Sequence, residues 1–140
     1  MNQVEIRPFT LNNYENAIAI WQQSGGVRLS RADEKHAIDR YLRRNPGTSF
    51  VAYFEDKMVG TILCGHDGRR GFIHHLAVHP DYRRNGIGRQ LVTRGISALA
   101  AVGIDKCHLF IVPENESGKA FWADVGFSLH TDIEMMSKFL

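Results

Sequence analysis

The chain opens with an alternation, Val4-Glu5-Ile6-Arg7, which Pro8 ends because proline donates nothing to a strand ladder, so a short first strand is predicted there. From Asn12 or Asn13 as a cap, Tyr14, Ala17, Ile18 and Trp21 recur at helical spacing and form one apolar face that stops before Gly25-Gly26. A second amphipathic stretch, about Ser30 to Arg44, places Ala37, Ile38, Tyr41 and Leu42 on its apolar side and ends at Asn45-Pro46-Gly47. The pattern then changes to β-rich runs. Ser49 to Phe54 and Met58 to Gly65 flank Glu55-Asp56-Lys57 as a hairpin, and a second hairpin turns through His66 to Gly71 into Phe72 to Val78. Helical spacing returns in Gly86 to Val102, with Ile87, Leu91, Ile96, Leu99 and Ala100 on one face and Gly103 as the stop. A strand over Cys107 to Val112, a short helix over Ser117 to Val125 and a last strand from Phe127 to about Met136 complete the reading.

Two late strand-helix-strand units require some parallel pairing, because a parallel neighbour needs a crossover. The expected fold class is α/β, one domain over residues 1–140, with helices on both faces of a mixed sheet. A chain of 140 residues buries about two thirds of its unfolded surface without metals or disulfides, and 44% hydrophobic with 23% charged residues is ordinary globular usage.

The formal charge is only +2, too small an excess to imply a nucleic-acid partner. Cys64 and Cys107 lie in apolar runs without the close pairing of a zinc or redox motif, so small buried thiols and no metal are expected. The first residues lack a basic start followed by an apolar core, and no run is long enough to span a bilayer. A cytoplasmic protein without a membrane partner is the expectation.

The most informative stretch is Leu76-Ala77-Val78-His79-Pro80-Asp81-Tyr82-Arg83-Arg84-Asn85-Gly86-Ile87-Gly88-Arg89, a strand, a tight loop and a helix that begins in glycines. A helix start presents unpaired N–H groups and the positive end of the peptide dipole, so it binds phosphate. Gly86 and Gly88 admit close backbone approach, and Arg83, Arg84 and Arg89 add charge around it. A dinucleotide fingerprint fails, because its third glycine would fall at Leu91 and its acidic residue at Asp105, which opens a strand. A P-loop fails as well, since no lysine followed by Ser or Thr comes after the glycines.

This segment resembles the acetyl-coenzyme A motif of the GNAT superfamily: Arg or Gln, two residues, Gly, one residue, Gly or Ala, matched here by Arg83, Gly86 and Gly88. The resemblance extends back through L-A-V-H-P-D-Y and forward to V-P-E-N-E-S-G-K-A-F-W-A-D-V-G-F, and is strongest from 58 to 127. It implies a mostly antiparallel mixed sheet with splayed central strands. It further implies N-acetyl transfer from acetyl-CoA to a primary amine, of a small molecule, peptide or protein, by direct attack. Leu76, Ala77 and Val78 would then pair with the pantetheine arm, residues Arg83 to Arg89, including Asn85 and Ile87, would hold the phosphates, and Asn115 would contact the arm. Asn115 also suits a helix cap, and the two roles coexist.

Two departures accompany the match. Trp122 stands where many members carry a Tyr that protonates the leaving sulfur, and an indole N–H is no acid near neutral pH. Packing of the short helix and lining of the thioester pocket both remain open for Trp122. Phe72 and Phe110 occupy places where some members carry a Glu base, which leaves His74 and His75 as candidate bases. As neighbours in a strand they are expected on opposite faces, with one facing the acceptor. Asp67 and Arg70 in the hairpin turn, and Trp21 in the early helices, are candidate substrate contacts. The missing Tyr and Glu also motivate an alternative, a catalytically weak or inactive acyl-CoA-binding regulatory module. A homodimer exchanging the last strand at a sheet edge is a further expectation.

Overall fold

The structure is a computed structural model that describes residues 3–140, and the chain divides into two compact units, Met1–Phe110 and Ile111–Leu140. The first unit holds a five-stranded mixed sheet of β1 (Val4–Pro8), β2 (Phe50–Phe54), β3 (Lys57–His66), β4 (Gly71–Val78) and β5 (Cys107–Leu109), ordered as in the sequence. The first four strands are antiparallel, and β5 joins β4 in parallel after the crossover α3 (Ile87–Ala101). Pro8 is tolerated because β1 is an edge strand, paired with β2 alone.

Helices cover both faces. The first face takes α1 (Tyr14–Gln22) and α2 (Lys35–Arg44) over a core of Phe9, Ala17, Ile20, Trp21, Ile38, Val51 and Leu63. The second takes α3, whose Leu91 and Ile87 approach Gly60 and whose Gly95 lies on Cys64. The stretch expected as one helix from Ser30 is broken: a single 3-10 turn, Arg31–Asp33, precedes α2, with Glu34 extended between them.

β4 departs from a regular strand in two ways. Thr61 pairs Ala77 and Leu63 pairs His74, so His75 and Leu76 together face Ile62 alone, a bulge with His75 at φ 50°. Further, β5 pairs only Gly71, Phe72 and Ile73, leaving His74 to Val78 without a β5 partner. This is the splay that the fold class expects.

In the second unit α4 (Glu116–Asp124) is capped by Asn115, whose Oδ1 accepts from Gly118 N–H at 3.0 Å. The expected last strand, Phe127 to about Met136, does not form: Leu129, Ile133, Met135 and Met136 are 62% to 96% exposed, and no ladder among the described residues reaches them. Alternating sequence needs a partner edge to become a strand. With it goes the sheet edge expected to support a homodimer.

Candidate functional site

The bulge decides which side chains reach the first face. An extra residue in one strand interrupts the alternation of side chains, so His74 and His75 both line one cleft of about 490 Å³, against the expectation that they oppose each other. The opposite wall comes from the 3-10 turn and α2. A left-handed non-glycine residue costs about 1 kcal/mol. The strain is offset from below, where Thr61 Oγ1 donates to the His75 carbonyl at 2.8 Å and itself accepts from Trp21 Nε1 at 2.8 Å.

Trp21 therefore has a different task from the one expected. It is fully buried, 4.7 Å from the His75 ring, and presents no atom to a substrate. Asp33 was not anticipated as a site residue, although it faces His75 directly: Oδ1 lies 2.6 Å from Nε2, while Oδ2 accepts from Ser30 N–H at 2.9 Å. The one sequence signal for it is the Ser30-x-x-Asp33 capping pattern, which explains a turn and says nothing of a partner 42 positions away.

Burial opposes ionisation of Asp33, but the bonds from His75 and from Ser30 N–H outweigh it and hold the carboxyl below its ordinary value. An ionised Asp33 only accepts, so His75 carries its hydrogen on Nε2 and keeps Nδ1 as its basic atom. His74 differs. Its ring lies among Phe72, Phe110 and Tyr41, at 6.2 to 6.4 Å, and burial, aided by His75, depresses its basicity. Burial thus holds His74 toward its neutral form.

The remaining candidates have separate places. Asp67 Oδ1 accepts from the backbone of Arg69 and Arg70 at 2.8 Å, and Arg70 pairs with Asp105 at 3.2 Å; both side chains serve the hairpin turn and neither lines the cleft. His66 and His79 each use Nδ1 to accept a neighbouring backbone N–H. Burial raises the Cys64 thiol to about 12, which removes it as a nucleophile. Among the described residues no three His, Cys, Asp or Glu side chains converge on a point that would hold a metal ion.

At the far end of β4 the chain turns through Arg84 at φ 65° and Gly86 at φ 76° into α3. The space where a Gly86 Cβ would stand is open, and Arg83, Arg84, Asn85 and Gly86 are all exposed. Arg83 Nε donates to the Val78 carbonyl at 3.1 Å and Asn85 Nδ2 to the Tyr82 carbonyl at 3.0 Å, so the side chains brace the turn. His79 N–H turns to Val59 of β3, so the alternation of the ladder directs the backbone groups of Leu76 and Val78 to the side that β5 has left. An exposed helix start beside a vacated strand edge fits a diphosphate with an extended amide-bearing arm.

In the second unit Trp122 packs edge-on against Phe121 at 5.2 Å and Phe127 at 5.0 Å, the packing role left open above.

Residues 14–127 match the profile described as the acetyltransferase (GNAT) family. The chain belongs to this family. It is 31% identical over 135 residues, 96% of this chain and 94% of the other, to acetyltransferase SG1711 of Sodalis glossinidius (strain morsitans). Among solved structures it resembles Ard1 from Thermoplasma volcanium, with TM-score 0.81, 22% identity and coverage of 91% of this chain and 84% of that one. It also resembles the aminoglycoside N-acetyltransferase AAC(6')-Iy in complex with CoA, with TM-score 0.79, 17% identity and coverage of 99% and 96%. A GNAT chain is an acetyltransferase by family. No described helix is long and apolar enough to cross a membrane.

Proposed function

We propose that the chain transfers an acetyl group from acetyl-CoA to a primary amine by direct attack, with residues 1–140 acting as one domain. The observation that carries this reading is the bulge at His75, which brings two imidazoles into the cleft just before the β4 edge that β5 has vacated. When bound, the coenzyme supplies a thioester acetyl group and a thiolate leaving group of thiol pKa about 8.5, which water can protonate. That removes the need for an acid at Trp122.

In this reading the backbone at the start of α3, with Arg83, Arg84 and Arg89, holds the phosphates, and Leu76 and Val78 pair the extended arm, while Ala77, expected to join them, turns its backbone to Thr61 of β3. An N–H of the same edge stabilises the developing oxyanion. Asn115 and Trp122 are assigned to the coenzyme from the family resemblance alone. The amine lies in the cleft, where the Asp33 carboxylate attracts its ammonium form. His75 Nδ1 takes one proton from the ammonium to free its lone pair, the nitrogen then attacks and the thiolate leaves, and the second nitrogen proton passes through water to the thiolate; Asp33 fixes the tautomer, and neutral His74 accepts a hydrogen bond from the amine. The two free thiols support a reducing, cytoplasmic setting.

Release of free coenzyme A with a panel of amines tests the reading. His75→Ala should lower kcat/KM on the order of a hundredfold, most below pH ~8, with coenzyme binding retained. An unchanged pH profile removes His75 as the base. Tight coenzyme binding without turnover on any amine up to pH ~9 identifies an acyl-CoA-binding regulatory module instead.

A further inference from the structure

The cleft has two chemically different ends. Asp33 and His75 occupy one, and Arg40 and Arg44 of α2 line the other, with Ala37, Ile38 and Tyr41 between them. The other cations of α2 are engaged: Lys35 holds Glu15 at 2.9 Å and Arg43 holds Asp39 at 3.1 Å. Among the described residues, no ion pair or hydrogen bond engages the Arg40 or Arg44 side chain. Cations in the last turn of a helix complement its dipole, which accounts for Arg43 and Arg44 and leaves Arg40 unexplained. Like charges four positions apart on a helix repel, so the pair gains from an anion placed between them.

We propose that Arg40 and Arg44 form an anion subsite, and that the acceptor is a small primary amine carrying a carboxylate or phosphate at its far end. The proposal rests on the cleft being the acceptor site. Its volume, about 490 Å³, is that of a small-molecule pocket, and its polarity orients such a molecule with the ammonium on Asp33 and the anion on the arginines.

The test compares a straight-chain ω-amino acid with its carboxamide and with the matching ω-aminoalkyl phosphate. In the native chain, kcat/KM for the better of the two anionic amines should exceed that for the carboxamide by about tenfold or more, the effect of a charge-assisted pair. Whichever anion gives the larger ratio identifies the group. In Arg40→Gln/Arg44→Gln the ratio should fall to about 1, while Arg43→Gln, altered on an engaged cation outside the cleft, should keep it. A native chain that acetylates the carboxamide as well as either anion overturns the subsite and leaves acetyl transfer standing, as does a double variant that retains the preference. If none of the three amines is acetylated, calorimetric titration of the same amines into the CoA-loaded protein decides separately. A preference for an anionic amine lost in the double variant upholds the subsite, and equal or absent binding refutes it.

Discussion

The turn into α3 and the cleft beneath α2 both adjoin β4, yet they are made from different parts of the chain. The turn is local: Arg83 to Gly88 lead into the exposed start of α3 through two left-handed residues, Arg84 and Gly86. The cleft depends on distance: Asp33 reaches His75 across 42 positions, and a network from Trp21 through Thr61 holds the bulge that turns His75 inward. A site made of backbone tolerates varied neighbours, whereas a site made of side chains depends on every element that carries one.

The largest effect expected from separating the two is at the turn. Gly86→Glu places a carboxylate and a strained φ where phosphate is to bind, and should weaken coenzyme A more than about a hundredfold by calorimetry. Gly86→Ala isolates the strain, with a loss of about tenfold or less. Retained affinity in the glutamate variant would detach the turn from the coenzyme.

Asp33→Asn addresses the cleft alone. It should lower kcat/KM about tenfold to a hundredfold by releasing the His75 tautomer, and leave coenzyme affinity within about twofold. It should also reduce stability by about 1 to 3 kcal/mol near neutral pH. The sign follows from Asp33 having a depressed carboxyl: its stabilisation is complete above the ordinary value of 3.8 and is lost as pH falls through the lower folded value. Urea unfolding of both proteins should therefore converge only at strongly acidic pH.

Gly65→Ala would put a Cβ 2.5 Å from the buried, unpartnered Tyr41 hydroxyl and 2.7 Å from Asn45 Nδ2, displacing α2. A rise in amine KM of about threefold to tenfold, with coenzyme affinity unchanged, is expected; a change in coenzyme affinity alone would contradict the division into two regions. Trp122→Phe should have the smallest effect, under about threefold in kcat, because packing against Phe121 and Phe127 needs a ring and no acid. A loss of a hundredfold or so would assign the indole to the chemistry.

The same division governs what could be read from sequence. β2, β3 and β4, α3 and the turn were legible because period and punctuation are local properties of Phe50 to Gly103. The last strand failed for the opposite reason, since the apolar residues from Leu129 to Met136 specify a pairing surface and no partner. Asp33 escaped because a capping carboxylate looks the same whether its second oxygen meets water or an imidazole. The histidines were found, but their shared face was not, because alternation assumes an unbulged strand. The aromatic neighbours Phe72 and Phe110, which replace an acidic residue in the motif comparison, together flank His74 and help explain its low basicity.

One residue of slack in β4 thus acts as a parity switch for the whole cleft. With the count even, one imidazole would face α2 and the other α3; with it odd, both serve one chamber. The Thr61 hydroxyl is the latch on that parity, because it satisfies the carbonyl that the irregular ladder would otherwise strand. A buried threonine that touches no substrate therefore helps determine how many bases the chamber contains.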